Sequence, residues 1–101
     1  MTFRVRVVRR AQSDLVEIRD YLRLDAPDRA EGVVETLLQA IESLERLPLR
    51  GARPRDARLR RLGYRFLSKS SWLVFYKVDE ARRLVRVHRV LHARREYRAI
   101  L

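Results

Sequence analysis

The chain contains no cysteine among its 101 residues, so it has no disulfide framework and no thiolate that could act as a metal ligand or nucleophile. Its two histidines are too few for a metal site built on imidazole. No segment approaches the roughly 18 consecutive apolar residues that a membrane span requires, and no apolar signal region follows Met1. These absences predict a cytoplasmic protein that uses no metal or cofactor and has no membrane partner.

Glycine and proline are scarce, with three residues of each. Pro48, Gly51 and Pro54 lie close together and predict an irregular segment from Leu47 to Pro54, because such residues end a helix and prevent another from starting. We expect a single domain over residues 1–101, since a chain of this length has room for one modest core.

Charge is distributed unevenly along the sequence. Residues 1–50 hold nine arginines and nine acidic residues, whereas residues 51–101 hold fifteen basic and four acidic residues and carry the whole net charge of +11. Arginine favours bidentate contact with carboxylate or phosphate groups. We therefore expect the second half to bind something anionic, either a nucleic acid or an acidic protein or both. Solubility alone is the plainer explanation, but solubility does not require the basic residues to be concentrated in one half of the chain.

The first half contains a predicted strand that leads into a predicted helix. Apolar and arginine side chains alternate in Thr2–Val8, which is typical of a half-buried strand. Apolar residues then recur every three or four positions in Ala11–Leu24, which predicts an amphipathic helix. Ser13 or Gln12 is the expected N-cap, and Asp14 is one of the acids that the helix dipole favours near its start.

A second helix is predicted to begin at Pro27, a favourable first helical residue, and to run to about Leu47. Two helices with a short joint form an antiparallel hairpin. We expect the apolar stripe of this hairpin to be core packed on a sheet rather than a binding groove. The stripe comprises Ala11, Leu15, Ile18, Leu22, Ala30, Val33, Val34, Leu37, Leu38, Ile41, Leu44 and Leu47.

The second half is predicted to contain three strands, Leu62–Ser68, Ser71–Val78 and Leu84–Leu91. Ser71–Val78 is the most apolar run in the chain and is expected to lie in the middle of the sheet. Arg53–Arg61 is expected to be an arginine-rich connection, mobile without a partner, and His92–Leu101 a basic tail with one helical turn.

The predicted element order is therefore β-α-α-β-β-β. Short turns join the last three strands, which should be antiparallel, while the first strand joins an edge or the middle after the helices have crossed one face. The expected fold class is α+β, with a helix hairpin packed on a small, mainly antiparallel sheet.

The basic second half contains residues that could form a metal-free ribonuclease. Such an enzyme needs a base for the 2′-hydroxyl, an arginine for the scissile phosphate and an acid for the leaving oxygen. His92 could be the acid or base, Arg65 or Arg94 the phosphate clamp, and Tyr97 a stacking or proton-transfer group. Structural roles are the simpler reading of each, with His92 at a strand end and Tyr97 packed on the helices. His88 is expected to be a partly buried structural residue.

Several segments together resemble the RelE/ParE toxins of type II toxin–antitoxin systems. They are Gly63-Tyr64-Arg65, the run Trp72–Val78, the run Val87–Tyr97, and Val8–Ala11 followed by Asp14, Leu15 and Ile18. The resemblance covers nearly the whole chain. It implies a toxin that inhibits growth or stabilises a plasmid and that a cognate acidic antitoxin neutralises.

The resemblance implies two different activities. RelE-like members cleave mRNA on the ribosome, whereas ParE-like members inhibit DNA gyrase and are not nucleases. RelE-like members usually place an arginine where this chain has Trp72, and the long helix hairpin and the ending Arg89-Val90-Leu91-His92 are more similar to ParE. We therefore favour a gyrase inhibitor that is not an enzyme. A RelE-like endoribonuclease is the first alternative, and a basic nucleic-acid-binding module is the second.

Two groups of residues are assigned to partners on this basis. An antitoxin tail that wraps the hairpin and the basic face, folding as it binds, is expected to contact Leu15, Ile18, Leu22, Arg58, Arg60, Arg61 and Trp72. The target is expected to contact Arg89, His92, Arg94, Arg95 and Tyr97.

Overall fold

Four strands and four helices follow one another in residues 2–101, which the computed structural model describes. A single 3₁₀ turn at Ser43–Glu45 follows the second helix. The elements in chain order are β1 (Arg4–Val7), α1 (Arg9–Asp25), α2 (Pro27–Glu42), α3 (Ala57–Arg61), β2 (Tyr64–Lys69), β3 (Trp72–Asp79), β4 (Leu84–His92) and α4 (Tyr97–Ile100).

The sheet has the strand order β1-β4-β3-β2. β2, β3 and β4 form an antiparallel meander, and β1 is added to the edge in parallel with β4. The predicted α+β class is confirmed, as is the order of the long elements. β3 is an interior strand, as the apolar run predicted, but it shares the middle of the sheet with β4.

The hairpin of α1 and α2 covers one face of the sheet and forms the main core with it. Because successive side chains of a strand point to opposite faces, Val74 and Tyr76 of β3 and Val85 and Val87 of β4 all face the helices. The buried members are Ala11, Ile18, Leu22, Ala30, Leu37, Ala40, Ile41, Leu44, Leu67, Val74, Tyr76, Val85, Val87 and Val90.

The opposite face carries a smaller apolar cluster that the sequence did not predict. α3 lies where a mobile connection was expected, and its N-cap Asp56 accepts a hydrogen bond from the Leu59 backbone N–H over 3.0 Å. Leu59 is fully buried against Phe75 and the neighbouring apolar side chains of the sheet. The C-terminal segment with Tyr97 closes the cluster. The arginine-rich segment is therefore ordered as α3, because Leu59 is buried in the smaller apolar cluster.

The helix ends differ from those predicted. α1 begins at Arg9 with no side-chain cap; instead the Gln12 side chain donates to the Val7 carbonyl over 2.8 Å, and Ser13 does not cap. α2 ends at Glu42, short of Leu47, which is exposed. The backbone N–H of Phe3 donates to the Glu45 carbonyl over 2.7 Å, which holds the turn after α2 against β1.

A β-bulge in β4 changes which residues share a face. Phe75 is opposite Arg89 and Tyr76 is opposite Val87, so His88 is the extra residue. A regular alternation along Leu84–Leu91, as the sequence suggests, would place Val85, Val87, Arg89 and Leu91 on one side of the strand. In the structure, Val90 instead joins the main core and Leu91 joins the smaller cluster. A strict period of two cannot reveal such an inserted residue.

β4 extends beyond the end of β1, and there the Asp14 carboxylate accepts a backbone hydrogen bond that a neighbouring strand would otherwise accept. β1 pairs with β4 only as far as Val87, and the backbone N–H of Val90 donates to Asp14 Oδ2 over 2.9 Å. Arg89 donates to the same carboxylate from Nε over 2.8 Å and from Nη2 over 3.1 Å. Asp14 is only 3% exposed. Asp14 is therefore a buried structural acid, a role that the sequence did not predict.

Gly51 lets the irregular segment approach β3. Its backbone N–H donates to the Tyr76 hydroxyl over 2.9 Å, and a Cβ at this position would lie 2.5 Å from that oxygen and 2.9 Å from the Phe66 carbonyl oxygen. Burial is the main factor that raises the pKa of Tyr76. The phenol thus stays neutral, because the pKa moves further above the physiological range.

We expect Gly51→Ala to destabilise the protein by about 1–3 kcal/mol, since the added methyl group overlaps backbone and ring atoms. Gly32→Ala is the matched control, because nothing lies within 4 Å of a Cβ there. Gly32 lies inside α2, and its replacement should stabilise by about 0.5–1 kcal/mol. Urea unfolding of both variants measures the difference, and equal effects would contradict the close approach at Gly51.

Candidate functional site

A groove of about 310 Å³ lies between α1 and the adjoining ends of β3 and β4. α1 contributes apolar and acidic side chains, and the strands contribute aromatic and aliphatic ones. The lining residues are Asp14, Glu17, Ile18, Tyr21, Trp72, Val90, Leu91, His92 and Arg95.

The aromatic part of the groove is built by strand register. Trp72 begins β3 opposite His92, which ends β4, and their ring centroids are 5.1 Å apart in an edge-to-face arrangement. Tyr21 faces them from α1 with 59% of its surface exposed. Exposed aromatic rings beside a cavity are typical of a surface that binds a partner.

The groove combines one internally neutralised acid with one unpaired cation. Asp14 lies at its base and is already neutralised by Arg89. Glu17 contacts only the exposed Arg10, at 3.8 Å. Within residues 2–101, Arg95 makes no ion pair, so its guanidinium is available to an anionic ligand.

His92 is held in one orientation. The backbone N–H of Arg94 donates to His92 Nδ1 over 3.1 Å. In the neutral imidazole the proton is therefore on Nε2, which leaves that nitrogen as a donor. The turn formed by Ala93, Arg94 and Arg95 follows directly, and the side chain of Arg94 is exposed there.

The residues predicted to bind the antitoxin lie in three places: the groove, the main core and α3. Ile18 and Trp72 line the groove, whereas Leu22 is buried in the main core and Leu15 is half-buried against it. Arg58 donates to the carbonyl oxygens at Arg98 and Leu101 and so anchors the C-terminal segment. The two other arginines of the α3 group, Arg60 and Arg61, are exposed.

The residues predicted to bind the target are also divided. His92 and Arg95 line the groove, and Arg94 is beside it in sequence. Arg89 is mostly buried; its hydrogen bonds to Asp14 are the main factor that raises its pKa, which keeps it cationic. Tyr97 packs against Phe75 on the opposite face of the sheet, with ring centroids 5.1 Å apart. Arg89 and Tyr97 therefore lie outside the lining of the groove and make contacts within the fold.

Of the four residues considered for a ribonuclease, Arg65 and Tyr97 lie apart from His92, whereas Arg94 is directly beside it. Arg65 is opposite Tyr76 and donates to the Gly51 carbonyl over 3.1 Å, whereas His92 is opposite Trp72. Tyr76 and Trp72 are four residues apart on β3, which corresponds to about 13 Å. Tyr97 is on the other face of the sheet. The described residues therefore bring His92 and Arg94 together, whereas Arg65 and Tyr97 contribute to other parts of the sheet.

Sequence reasoning did not assign five of the lining residues to a site: Asp14, Glu17, Tyr21, Val90 and Leu91. Tyr21 lies three positions after Ile18 on α1, and that spacing is the signal that could have identified it. No described residue group has three or more histidine, cysteine, aspartate or glutamate side chains that could hold a metal ion. No helix in residues 2–101 is long and apolar enough to cross a membrane.

Comparison with known families gives a match over almost all of these elements. The sequence profile of the family described as the ParE toxin of type II toxin–antitoxin system, parDE, matches residues 5–97. The chain belongs to the ParE toxin family of type II toxin–antitoxin systems. The resemblance stated from the sequence is therefore confirmed, and a search of curated proteins finds no match.

Two solved toxin–antitoxin structures share the fold of this ParE-family chain. A chain of the RelBE2 complex from Mycobacterium tuberculosis superposes with a TM-score of 0.68 at 22% identity, covering 91% of this chain and 99% of that one. A chain of the chromosomal ParDE system from P. aeruginosa superposes with a TM-score of 0.72 at 20% identity, covering 89% of this chain and 95% of that one.

We expect Asp14→Ala to destabilise the toxin by about 3 kcal/mol, because it leaves Arg89 and the Val90 N–H without their buried acceptor. Glu17→Ala is the control, since Glu17 is 68% exposed and should change stability by less than about 0.5 kcal/mol. Denaturant unfolding provides the measurement. The double variant Asp14→Leu with Arg89→Met should recover much of the loss. If Asp14→Ala unfolds like Glu17→Ala, the buried ion pair contributes nothing.

Proposed function

We propose that this ParE-family toxin inhibits DNA gyrase in the cytoplasm and that a cognate acidic antitoxin neutralises it. The observation that supports a gyrase inhibitor over a nuclease is that Arg65 and Tyr97 lie away from His92 and Arg94, along and across the sheet. Phosphodiester cleavage requires its acid, base and phosphate clamp around one scissile bond. A binding surface for a protein target has no such requirement.

The target surface that we propose is the end of β4 and the turn after it. His92, Arg94 and Arg95 present a donor nitrogen and two exposed guanidinium groups around the mouth of the groove. Trp72 and Tyr21 supply an aromatic base beside them. Aromatic and arginine side chains of this kind dominate the binding energy of many protein interfaces.

The antitoxin is proposed to occupy the same groove and thereby to block the target. Ile18 and Trp72 were assigned to the antitoxin and His92 and Arg95 to the target, yet all four line one cavity. An acidic segment with an apolar anchor would pack against Trp72 and pair with Arg95. Neutralisation would then follow from occlusion, without any change in the shape of the toxin.

We expect purified toxin to reduce supercoiling of relaxed plasmid by purified gyrase. The double variant Arg94→Gln with Arg95→Gln should need at least about tenfold more protein for the same inhibition, because it loses two interfacial charges. The control Arg29→Gln with Arg46→Gln removes equal charge from exposed positions in the first half of the chain and should behave like the unaltered toxin.

Unchanged supercoiling at saturating toxin would remove the gyrase proposal. If the toxin instead cuts mRNA on ribosomes, and His92→Ala or Arg94→Ala abolishes the cuts, the RelE-like alternative replaces it. Inhibition of neither target, with growth still arrested, would leave only the nucleic-acid-binding alternative.

We expect Trp72→Ala to weaken antitoxin binding about thirtyfold or more, because a central aromatic anchor typically contributes at least about 2 kcal/mol. Val16→Ala is the control, since Val16 is exposed on α1 but does not line the groove; its affinity should change less than about threefold. Calorimetric titration with the antitoxin encoded beside the toxin gives both values. Equal affinities for the two variants would show that the antitoxin binds elsewhere.

A further inference from the structure

A row of cationic side chains crosses the sheet on the face away from the helix hairpin. In the strand register, Arg6 of β1 pairs with Arg86 of β4, Arg86 pairs with Lys77 of β3, and Lys77 pairs with Tyr64 of β2. Register partners in adjacent strands point to the same face. Arg6, Arg86 and Lys77 are called the cationic row below.

The cationic row lies on the part of this face that no helix covers. α3 and the C-terminal segment pack on the other half, around Phe75, Leu73 and Leu91. Arg6 is exposed, and Arg86 and Lys77 are partly exposed. Arg4 lies two positions before Arg6 on the same edge strand and is also exposed.

The cationic row lacks internal neutralisation. Among the described residues, none of its three members is within 4.0 Å of a carboxylate, although six other arginines are. Asp79 and Glu80 border the same depression, but Asp79 is already engaged by Arg82, whose backbone N–H donates to it over 3.1 Å. Glu80, in the same depression, forms no ion pair with a described residue.

Two aromatic side chains, Tyr64 and His88, lie beside the cationic row. Lys77 Nζ lies 4.6 Å from the centroid of the Tyr64 ring, and the His88 ring is 5.7 Å from the same ring. Burial first, and then Lys77 and Arg86, lower the pKa of His88. His88 is therefore neutral at physiological pH, and the positive potential around it comes from the row.

We propose that the cationic row binds the phosphodiester backbone of a nucleic acid, with duplex DNA as the occupant. Adjacent strands are about 4.8 Å apart, so the three members of the row span about 10 Å. One strand of B-DNA carries a phosphate about every 3.4 Å of axis. The row therefore spans about three phosphate steps along one strand, and its three cations can contact phosphates within that stretch.

The chemistry of the row favours nucleic acid over an acidic peptide. A disordered peptide must bury apolar surface to offset the entropy lost when it folds. Arg6, Arg86 and Lys77 offer charge but no apolar anchor, whereas the Trp72 groove on the other face offers both. Backbone contacts to DNA require only the charge.

Fluorescence anisotropy with a 20-base-pair duplex tests the proposal on the purified toxin alone, so its result is independent of gyrase. The row variant carries Arg6→Gln, Lys77→Gln and Arg86→Gln. The control carries Arg9→Gln, Arg29→Gln and Arg46→Gln, which removes the same charge from exposed, unpaired positions on the helical side of the molecule. Urea unfolding checks that both variants are folded, and Arg6→Gln alone on the edge strand serves if the triple variant is not.

The proposal predicts how the affinity for the duplex depends on salt concentration. Each lost phosphate contact reduces the slope of log affinity against log salt by about 0.9, so the row variant should lose about 2.7 while the control keeps the slope of the unaltered toxin. Amide signals of Lys77 and Arg86 should shift when duplex is added. A single-stranded RNA of equal length distinguishes the two nucleic acids; row-dependent binding to RNA alone would overturn duplex DNA as the occupant.

Two results would overturn the proposal itself. If the row variant and the control lose equal affinity, net charge explains the binding and the row has no special role. If a polyglutamate peptide binds as tightly as the duplex at equal charge concentration and shifts the same amide signals, the row does not discriminate between polyanions, and duplex DNA is not its specific occupant.

Discussion

The carboxylate of Asp14 joins the two halves of the molecule. It comes from α1, yet it accepts the backbone N–H of Val90 and two hydrogen bonds from Arg89 on β4. Without it, β4 beyond Val87 would have a buried donor with no strand beside it, and a buried unsatisfied donor is costly. The ion pair therefore fixes how the helix hairpin sits on the end of the sheet.

Everything assigned to partner binding depends on that placement. α1 forms one wall of the groove through Ile18 and Tyr21, and the ends of β3 and β4 form the other through Trp72 and His92. Since Asp14 connects these walls at the base, the shape of the groove is set by a contact that no ligand needs to make. The cationic row is independent of it, because that row lies on the opposite face and depends on strand register alone.

The long elements were predictable because their patterns are long. The alternation before Val8, the helical stripe from Ala11 and the apolar run ending at Val78 each repeat often enough to define one structure. The bulge at His88, the capped helix after Asp56 and the role of Asp14 depend on contacts between distant parts of the chain. No local pattern records such contacts. For the same reason, sequence reasoning placed Arg65 and His92 in one site, although the structure holds them apart.

The parallel pairing of β1 with β4 has a consequence for the order of assembly. Arg4 meets Leu84, so the first strand has no neighbour in the sheet until the last strand has been synthesised. Pairing across such a separation closes a long loop and is intrinsically slow. A nascent chain that has passed α2 can form its helices, but neither the groove nor the cationic row exists yet. The binding surfaces of the toxin therefore appear together, and only after β4 has been synthesised.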